Sequence, residues 1–347
     1  MRYTNLGQTD LRVSQLCLGS MTWGSQDSEQ EGHAQIDLSL EHGINFIDTA
    51  EMYPVNPVLA ERCGRTETII GNWFARTGRR DDVVLATKIV GPNGGFLRDG
   101  EGITPETVRG AVDGSLKRLQ TDYIDLYQLH WPNRGSYHFR QNWEYDPSAQ
   151  DRGQTLADIE AILVTLQELI EAGKIRHIGL SNETAWGTAQ WLRLSDQLGL
   201  PRMQSIQNEY SLMCRQYDTD LGELGHNEQV TLLAFSPLAA GMLSGKYQGD
   251  VTPAGSRREV NANLSGRLGP RALDAVQAYL DIAKKHGLDP VQMANAFVLS
   301  RPFPAVSIFG ARSINQLKQV LPAGDLVLSD EVLADISAAH RAHPMPY

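Results

Sequence analysis

Eight short, β-rich runs recur along the chain, each followed by a longer stretch with helical spacing. They cover residues 13–19, 44–48, 83–88, 123–130, 175–181, 205–208, 230–236 and 305–310. Alternation of this kind predicts parallel strands joined by helices. Eight strands with interleaved helices fit an α/β fold, the closed (β/α)8 barrel of the TIM type. An open doubly wound sheet is the rival, but it would normally carry a Gly-rich dinucleotide fingerprint after its first strand. No GxGxxG occurs in the chain.

The connections have their own signals. Thr104 stands where it can cap a helix with Pro105 in the first position, and Val108, Val112, Leu116 and Leu119 then share a face. Leu156, Ile159, Leu163, Leu166 and Ile170 form a second such face, which Gly173 ends. Ser329 is placed to cap a last helix through Val332, Leu333 and Ile336, with Asp330 and Glu331 at its positive end. Residues 2–11 predict a small hairpin across the barrel floor. Two segments exceed simple loops: 133–154, with Tyr137, Phe139, Trp143 and Tyr145, and 248–269, rich in Gly, Arg and Asn. Both follow strand C-termini, where barrel enzymes place their sites. The 347 residues are therefore expected to form one barrel domain.

Composition excludes several classes. A net charge of −10 argues against nucleic acid or an anionic membrane as the main partner. Cys17, Cys63 and Cys214 are too sparse for a disulfide framework, no apolar run is long enough to span a membrane, and residues 1–10 lack an apolar signal core. A cytoplasmic location is expected. No HExxH, zinc-spaced Cys/His cluster or GxSxG elbow is present, so no metal site is expected, and His340 and His343 read as solvated tail residues.

Asp48, Lys88 and His130 each end a different strand, and in a barrel these ends converge on one mouth. Tyr53 leaves the Asp48 strand five positions later and can overhang the same mouth. Singly, each has a structural reading: Asp48 as a helix cap, Lys88 as a solvated strand end, His130 as a hydrogen-bonded core histidine. Together they make a proton-donating set. A phenol with a pKa near about 10 is a poor acid at neutral pH, and a nearby ammonium lowers it. Lys88 can supply that ammonium, Asp48 can hold it, and His130 can orient a substrate carbonyl.

These stretches resemble the aldo-keto reductase superfamily. The run G-I-N-F-I-D-T-A-E-M-Y at 43–53 matches its aspartate–tyrosine signature, A-T-K at 86–88 its lysine strand, and D-Y-I-D-L-Y-Q-L-H-W at 122–131 its histidine strand. Within the superfamily the chain looks most like the bacterial Tas-type NADP(H)-dependent reductases, with the potassium-channel β subunits a more distant likeness. The resemblance implies NADPH-dependent reduction of aldehydes or ketones, with a small-molecule carbonyl compound as partner. An NADPH-binding regulatory or sensor protein with slow turnover is the alternative.

What the resemblance implies about the cofactor is specific. Ser181, Asn182 and Gln207 match the nicotinamide carboxamide contacts, and Phe235 the ring that stacks on nicotinamide. Ser236, Leu238, Gly241, Ser244 and Lys246 lie in the segment that wraps the pyrophosphate, where small residues admit backbone N–H groups to phosphate. Ser20 and Met21, after the first strand, are further cofactor candidates. Gly310, Arg312 and Gln316 match the adenosine end, although Gln319 and Val320 depart from the usual glutamate and asparagine. Arg257, Arg258 and Arg312 are candidates for the 2′-phosphate. Trp23, Met52 and Trp131, with loop 133–154, are the candidate walls of an apolar substrate pocket.

Overall fold

The computed structural model describes residues 1–347. The chain opens with β1 (Tyr3–Asn5), β2 (Arg12–Ser14), β3 (Leu16–Gly19), α1 (Glu29–Glu41), β4 (Phe46–Asp48) and α2 (Arg65–Thr77). It continues through β5 (Val84–Ile89), α3 (Pro105–Leu119), β6 (Ile124–Leu129), α4 (Arg152–Glu171), β7 (Ile175–Ser181) and α5 (Ala185–Leu198). Next come β8 (Met203–Glu209), α6 (Asp220–Asn227), β9 (Thr231–Phe235), α7 (Arg257–Val260), α8 (Ala272–Lys285) and α9 (Pro290–Leu299). β10 (Ala305–Phe309), α10 (Ile314–Val320) and α11 (Asp330–Ala342) complete it. Strands β3 to β10 close a parallel barrel in the order β10-β3-β4-β5-β6-β7-β8-β9. This is the (β/α)8 architecture that the alternation predicts. No helix is long and apolar enough to cross a membrane.

The helix signals hold. Thr104 accepts from the Thr107 amide in a reciprocal capping box, with Pro105 opening α3. Ser329 accepts from Val332 N at the start of α11. Asp151 caps α4, and Gly173 leaves it at a φ of 73°, a conformation that favours glycine. The inner faces of these helices join the barrel's outer face in one large apolar cluster that includes Ile47, Leu85, Leu129, Val108, Leu163 and Leu166.

At the floor the strand read at 13–19 is two strands. Val13 and Ser14 pair with β1, and Leu16–Gly19 enters the barrel. The Ser14 hydroxyl donates to Leu16 O at 2.7 Å and its N–H to the Asn45 side chain at 2.8 Å. These local bonds displace ladder bonds and turn the chain. The hairpin therefore pairs residues 3–5 with 12–14, beyond the expected 2–11. It inserts Leu6 and Val13, both fully buried, against Phe46, Val84, Leu126, Leu233 and Val306, which plugs the barrel interior from below. In the two long segments, α4 takes over from Arg152, and α7 forms within 248–269.

Candidate active site

Parallel register fixes the rim opposite the plug. Gly19 pairs with Asp48, Asp48 with Ala86, Lys88 with Gln128, Gln128 with Gly179, and Ser181 with Gln207. Asp48, Lys88, Gln128, Ser181 and Gln207 thus sit at neighbouring heights around one mouth. Lys88 is fully buried, and its Nζ donates to Asp48 Oδ2 and Thr49 O, both at 2.7 Å. Asp48 Oδ1 accepts from Gln207 Nε2 at 2.8 Å and Gln128 Nε2 at 3.1 Å. Burial lowers the Lys88 pKa, but Asp48 and Tyr53 more than reverse this, and the ammonium form is favoured.

Tyr53 reaches over this pair from the loop after β4. Lys88 Nζ lies 5.0 Å from its ring centroid, and the ring meets His130 edge-on at 5.9 Å. Burial raises the Tyr53 phenol above its ordinary value, and Lys88 opposes that shift. The ammonium alone would lower the phenol, as the sequence predicts, but desolvation outweighs it here. His130 is held far below its usual pKa by burial and by Lys88, so its imidazole is neutral at physiological pH. Its Nδ1 is buried without a partner, while its backbone is fixed on both sides, N–H to Ile89 O at 2.8 Å and C=O from Asn182 Nδ2 at 2.9 Å.

The carboxamide candidates lie beside this set. Asn182 adopts a left-handed φ of 51° after β7, and its side-chain Oδ1 is buried with no partner. Ser181 donates to Gln207 O at 2.8 Å. Ser20 donates to Asp48 O at 2.8 Å, so its hydroxyl braces the strand end. Phe235 ends β9 half-buried. Beyond it, Ser236 has φ 56° and takes the Ala240 amide on its hydroxyl, and Gly241 has φ 94°. A Cβ on Gly241 would meet Lys246 Cε and Nζ at 3.0 Å. Leu238 O accepts from the Gly241 and Leu243 amides, and Ser244 donates to Gly241 O at 2.8 Å, which tightens the turn.

The adenosine-end residues divide. Arg257 has no carboxylate partner; its guanidinium touches Met21 Sδ at 3.8 Å, and burial with the nearby Arg267 pushes its pKa down to about 10. Burial, Arg257 and Arg312 likewise lower Lys246. Arg312 donates to Gly255 O and to Gln26 O at 3.3 Å, and its Nε stands 3.6 Å from Asp27. Gln316 turns its Oε1 to the Arg312 amide at 2.8 Å, next to Gly310. Arg258 does not join this group. Its guanidinium is taken by Asp250 at 2.5 Å and by the carbonyls of Val251 and Ala262 within its own loop.

Trp23 is fully buried and packs on Gly32. Trp131 stands 4.8 Å from the His130 ring and edge-on to Phe139 at 6.0 Å. Met52 lies beneath, with Ala50 and Val90. Loop 133–154 roofs a cavity of about 1030 Å³ that reaches Trp131 and Ser181 but includes neither Tyr53 nor His130.

Two site residues escaped the sequence reading. Gln128 stands two positions before His130, and strand alternation points it the same way. Glu209, two after Gln207, binds Arg140 from one long loop and Arg267 from the other, both at 2.7 Å, and the Tyr347 hydroxyl at 3.3 Å. One carboxylate thus ties both loops and the last residue to the mouth.

The rim of the closed parallel barrel thus carries a buried Lys–Asp pair under a tyrosine and a neutral histidine. The model of the "Aldo/keto reductase family" matches residues 15–341, and the chain belongs to that family. It is 44% identical to "Protein tas" of Escherichia coli (strain K12), covering 100% of this chain and 99% of that protein. It is 33% identical to the "Uncharacterized oxidoreductase YrpG" of Bacillus subtilis (strain 168), over 96% and 94% of the two chains. It is 30% identical to a "Probable voltage-gated potassium channel subunit beta" of Oryza sativa subsp. japonica, over 99% and 98%.

Proposed function

We propose that this chain reduces aldehyde or ketone carbonyls to alcohols with NADPH, and that Tyr53 is the general acid. The observation that carries the reading is the convergence of Tyr53, His130 and the buried Lys88–Asp48 pair at one rim, beside the orphaned Asn182 Oδ1. The residues present fit the cofactor. Asn182 and Gln207 offer carbonyl oxygens to a carboxamide, Phe235 offers a ring face, and the turn at Gly241, with a φ of 94°, takes a left-handed conformation that favours glycine. Arg257, unpaired, and Arg312 suit a 2′-phosphate.

When bound, NADPH supplies the hydride. Tyr53 donates the phenolic proton to the carbonyl oxygen as negative charge develops there. Lys88 stabilises the resulting phenolate, and Asp48 keeps the ammonium aimed at it. The neutral imidazole of His130 orients the carbonyl beside Trp131. The test is loss of NADPH absorbance with a panel of aldehydes and ketones. Turnover with several members supports the reading, and none with any member refutes it. The likeness to the rice channel subunit keeps a slow sensor in view. Tight NADPH binding with only very slow oxidation of every carbonyl in the same panel would favour that reading.

A further inference from the structure

The geometry points to Gln128 as a positioning residue that joins the proton-donating pair to the nicotinamide anchor and makes the carboxamide subsite read the amide NH2 group. This rests on the NADP(H) reading above. Gln128 is fully buried. Its Nε2 donates to Asp48 Oδ1 at 3.1 Å, and its Oε1 accepts from Gln207 Nε2 at 3.1 Å. Gln207 Nε2 also donates to Asp48 Oδ1 at 2.8 Å. Asp48, paired with the Lys88 ammonium, is an acceptor only, so the nitrogen of each glutamine must face it. With its nitrogen held by two acceptors, Gln207 turns Oε1 outward. Asn182 is oriented by the same logic. Its Nδ2 faces the His130 carbonyl at 2.9 Å and the Ser181 hydroxyl at 3.1 Å, which leaves Oδ1 buried and unpaired. Both free ends are therefore acceptors, and the complementary group is an NH2 with two protons to give. Without Gln128, Gln207 keeps one anchor in place of two and loses its fixed aim.

The experiment compares NADP+ with its 3-acetylpyridine analogue, in which a methyl replaces the amide NH2. Dissociation constants are measured by protein fluorescence for wild type, Gln128→Leu and Gln128→Glu, with thermal melting as a control of folding. Wild type should prefer NADP+ by about tenfold or more, since the analogue leaves buried acceptors unpaired. Gln128→Leu should lose affinity for NADP+ by about tenfold while its affinity for the analogue stays near wild type. Gln128→Glu, when its carboxyl is protonated, can again donate to Asp48 and accept from Gln207, so its preference should recover as pH falls. Equal weakening of both dinucleotides in Gln128→Leu, or no weakening of either, overturns the role of Gln128 and leaves the cofactor reading standing. A wild type that binds neither dinucleotide overturns both.

Discussion

Replacing Lys88 by Met tests the proton donor without removing it. Methionine fills the fully buried stem of Lys88 but carries no charge. Two unit charges about 5 Å apart interact by about 3 kcal/mol at an effective dielectric near 20, and the Lys88 Nζ to Tyr53 ring distance is 5.0 Å. That equals about two pKa units, reduced to about one to two by solvent at the open mouth. Burial already raises the Tyr53 phenol, and Lys88 is the first influence holding it down. Its removal therefore moves the phenol further up. In the reductive direction the high-pH fall in activity, where the donor loses its proton, should move to higher pH by about one to two units. In the oxidative direction the rise, which needs phenolate, should move up by the same amount. At neutral pH reduction should slow by about tenfold or more, because a weaker acid donates less readily in the transition state. The assay is initial rate against pH in both directions, run well below the melting temperature. A variant with unshifted limbs and wild-type rates would refute the assignment of Lys88 to Tyr53.

Tyr53→Phe keeps the ring and removes the donor, so kcat should fall by about 10²–10⁴-fold with the NADPH dissociation constant near wild type; weakened cofactor binding with normal turnover would contradict it. Arg257→Ala should weaken NADPH by about tenfold or more and NADH little, since one charge-assisted bond is worth about 1.5–3 kcal/mol. Equal loss for both cofactors would assign Arg257 a structural task. Arg312→Ala is the blunter probe, because it also frees Asp27 and the loop at Gly255. Glu209→Ala strands Arg267 and Arg140 and should cost about 3–5 kcal/mol in urea unfolding. Burial raises the Glu209 pKa, but Arg267 and Arg140 more than offset it and leave it lowered from 4.5. Its stabilisation is thus complete above the ordinary value and drains as pH falls through the folded one. Wild type should lose stability below about pH 4.5 more steeply than Glu209→Gln; parallel acid unfolding curves would exclude this role.

Much of the barrel is legible because its signals are local. Thr104, Pro105 and Ser329 announce helix starts through bonds made within a few residues. Asp48, Lys88 and His130 could be placed at one mouth because strand ends in a parallel barrel share a direction. What stayed hidden depends on distant partners. Trp23 follows a strand end, and its neighbour Gly32, on α1, lets the indole pack fully buried. Arg258 looks like Arg257 in sequence, yet Asp250 captures one and no acid captures the other. Glu209 gave no local hint of Arg140, Arg267 and Tyr347, which lie 69, 58 and 138 residues away. The Tyr53 shift turned on a balance of burial against charge, and composition carries no measure of depth.

The charge distribution strengthens the link between these residues and an anionic ligand. The chain carries a net charge of −10, yet Lys246, Arg257 and Arg312 gather at one end of the mouth. Only Arg312 has a carboxylate near it, Asp27 at 3.6 Å. Each of Arg257 and Arg312 depresses the proton affinity of Lys246, and Arg312 does the same to Arg257. Like charges held together raise the free energy of the folded state, the more so for the partly buried Arg257 and Arg312. Elsewhere this fold neutralises its buried arginines: Arg134 with Glu183, Arg267 with Glu209, Arg80 with Asp125. A fold that pairs these cations leaves Arg257 and Lys246 open beside a turn whose Gly241 sits at a φ of 94°. A polyanion laid along that turn would bring the missing counter-charge, and on the proposed reading the ribose phosphate of NADPH would supply it where these cations gather.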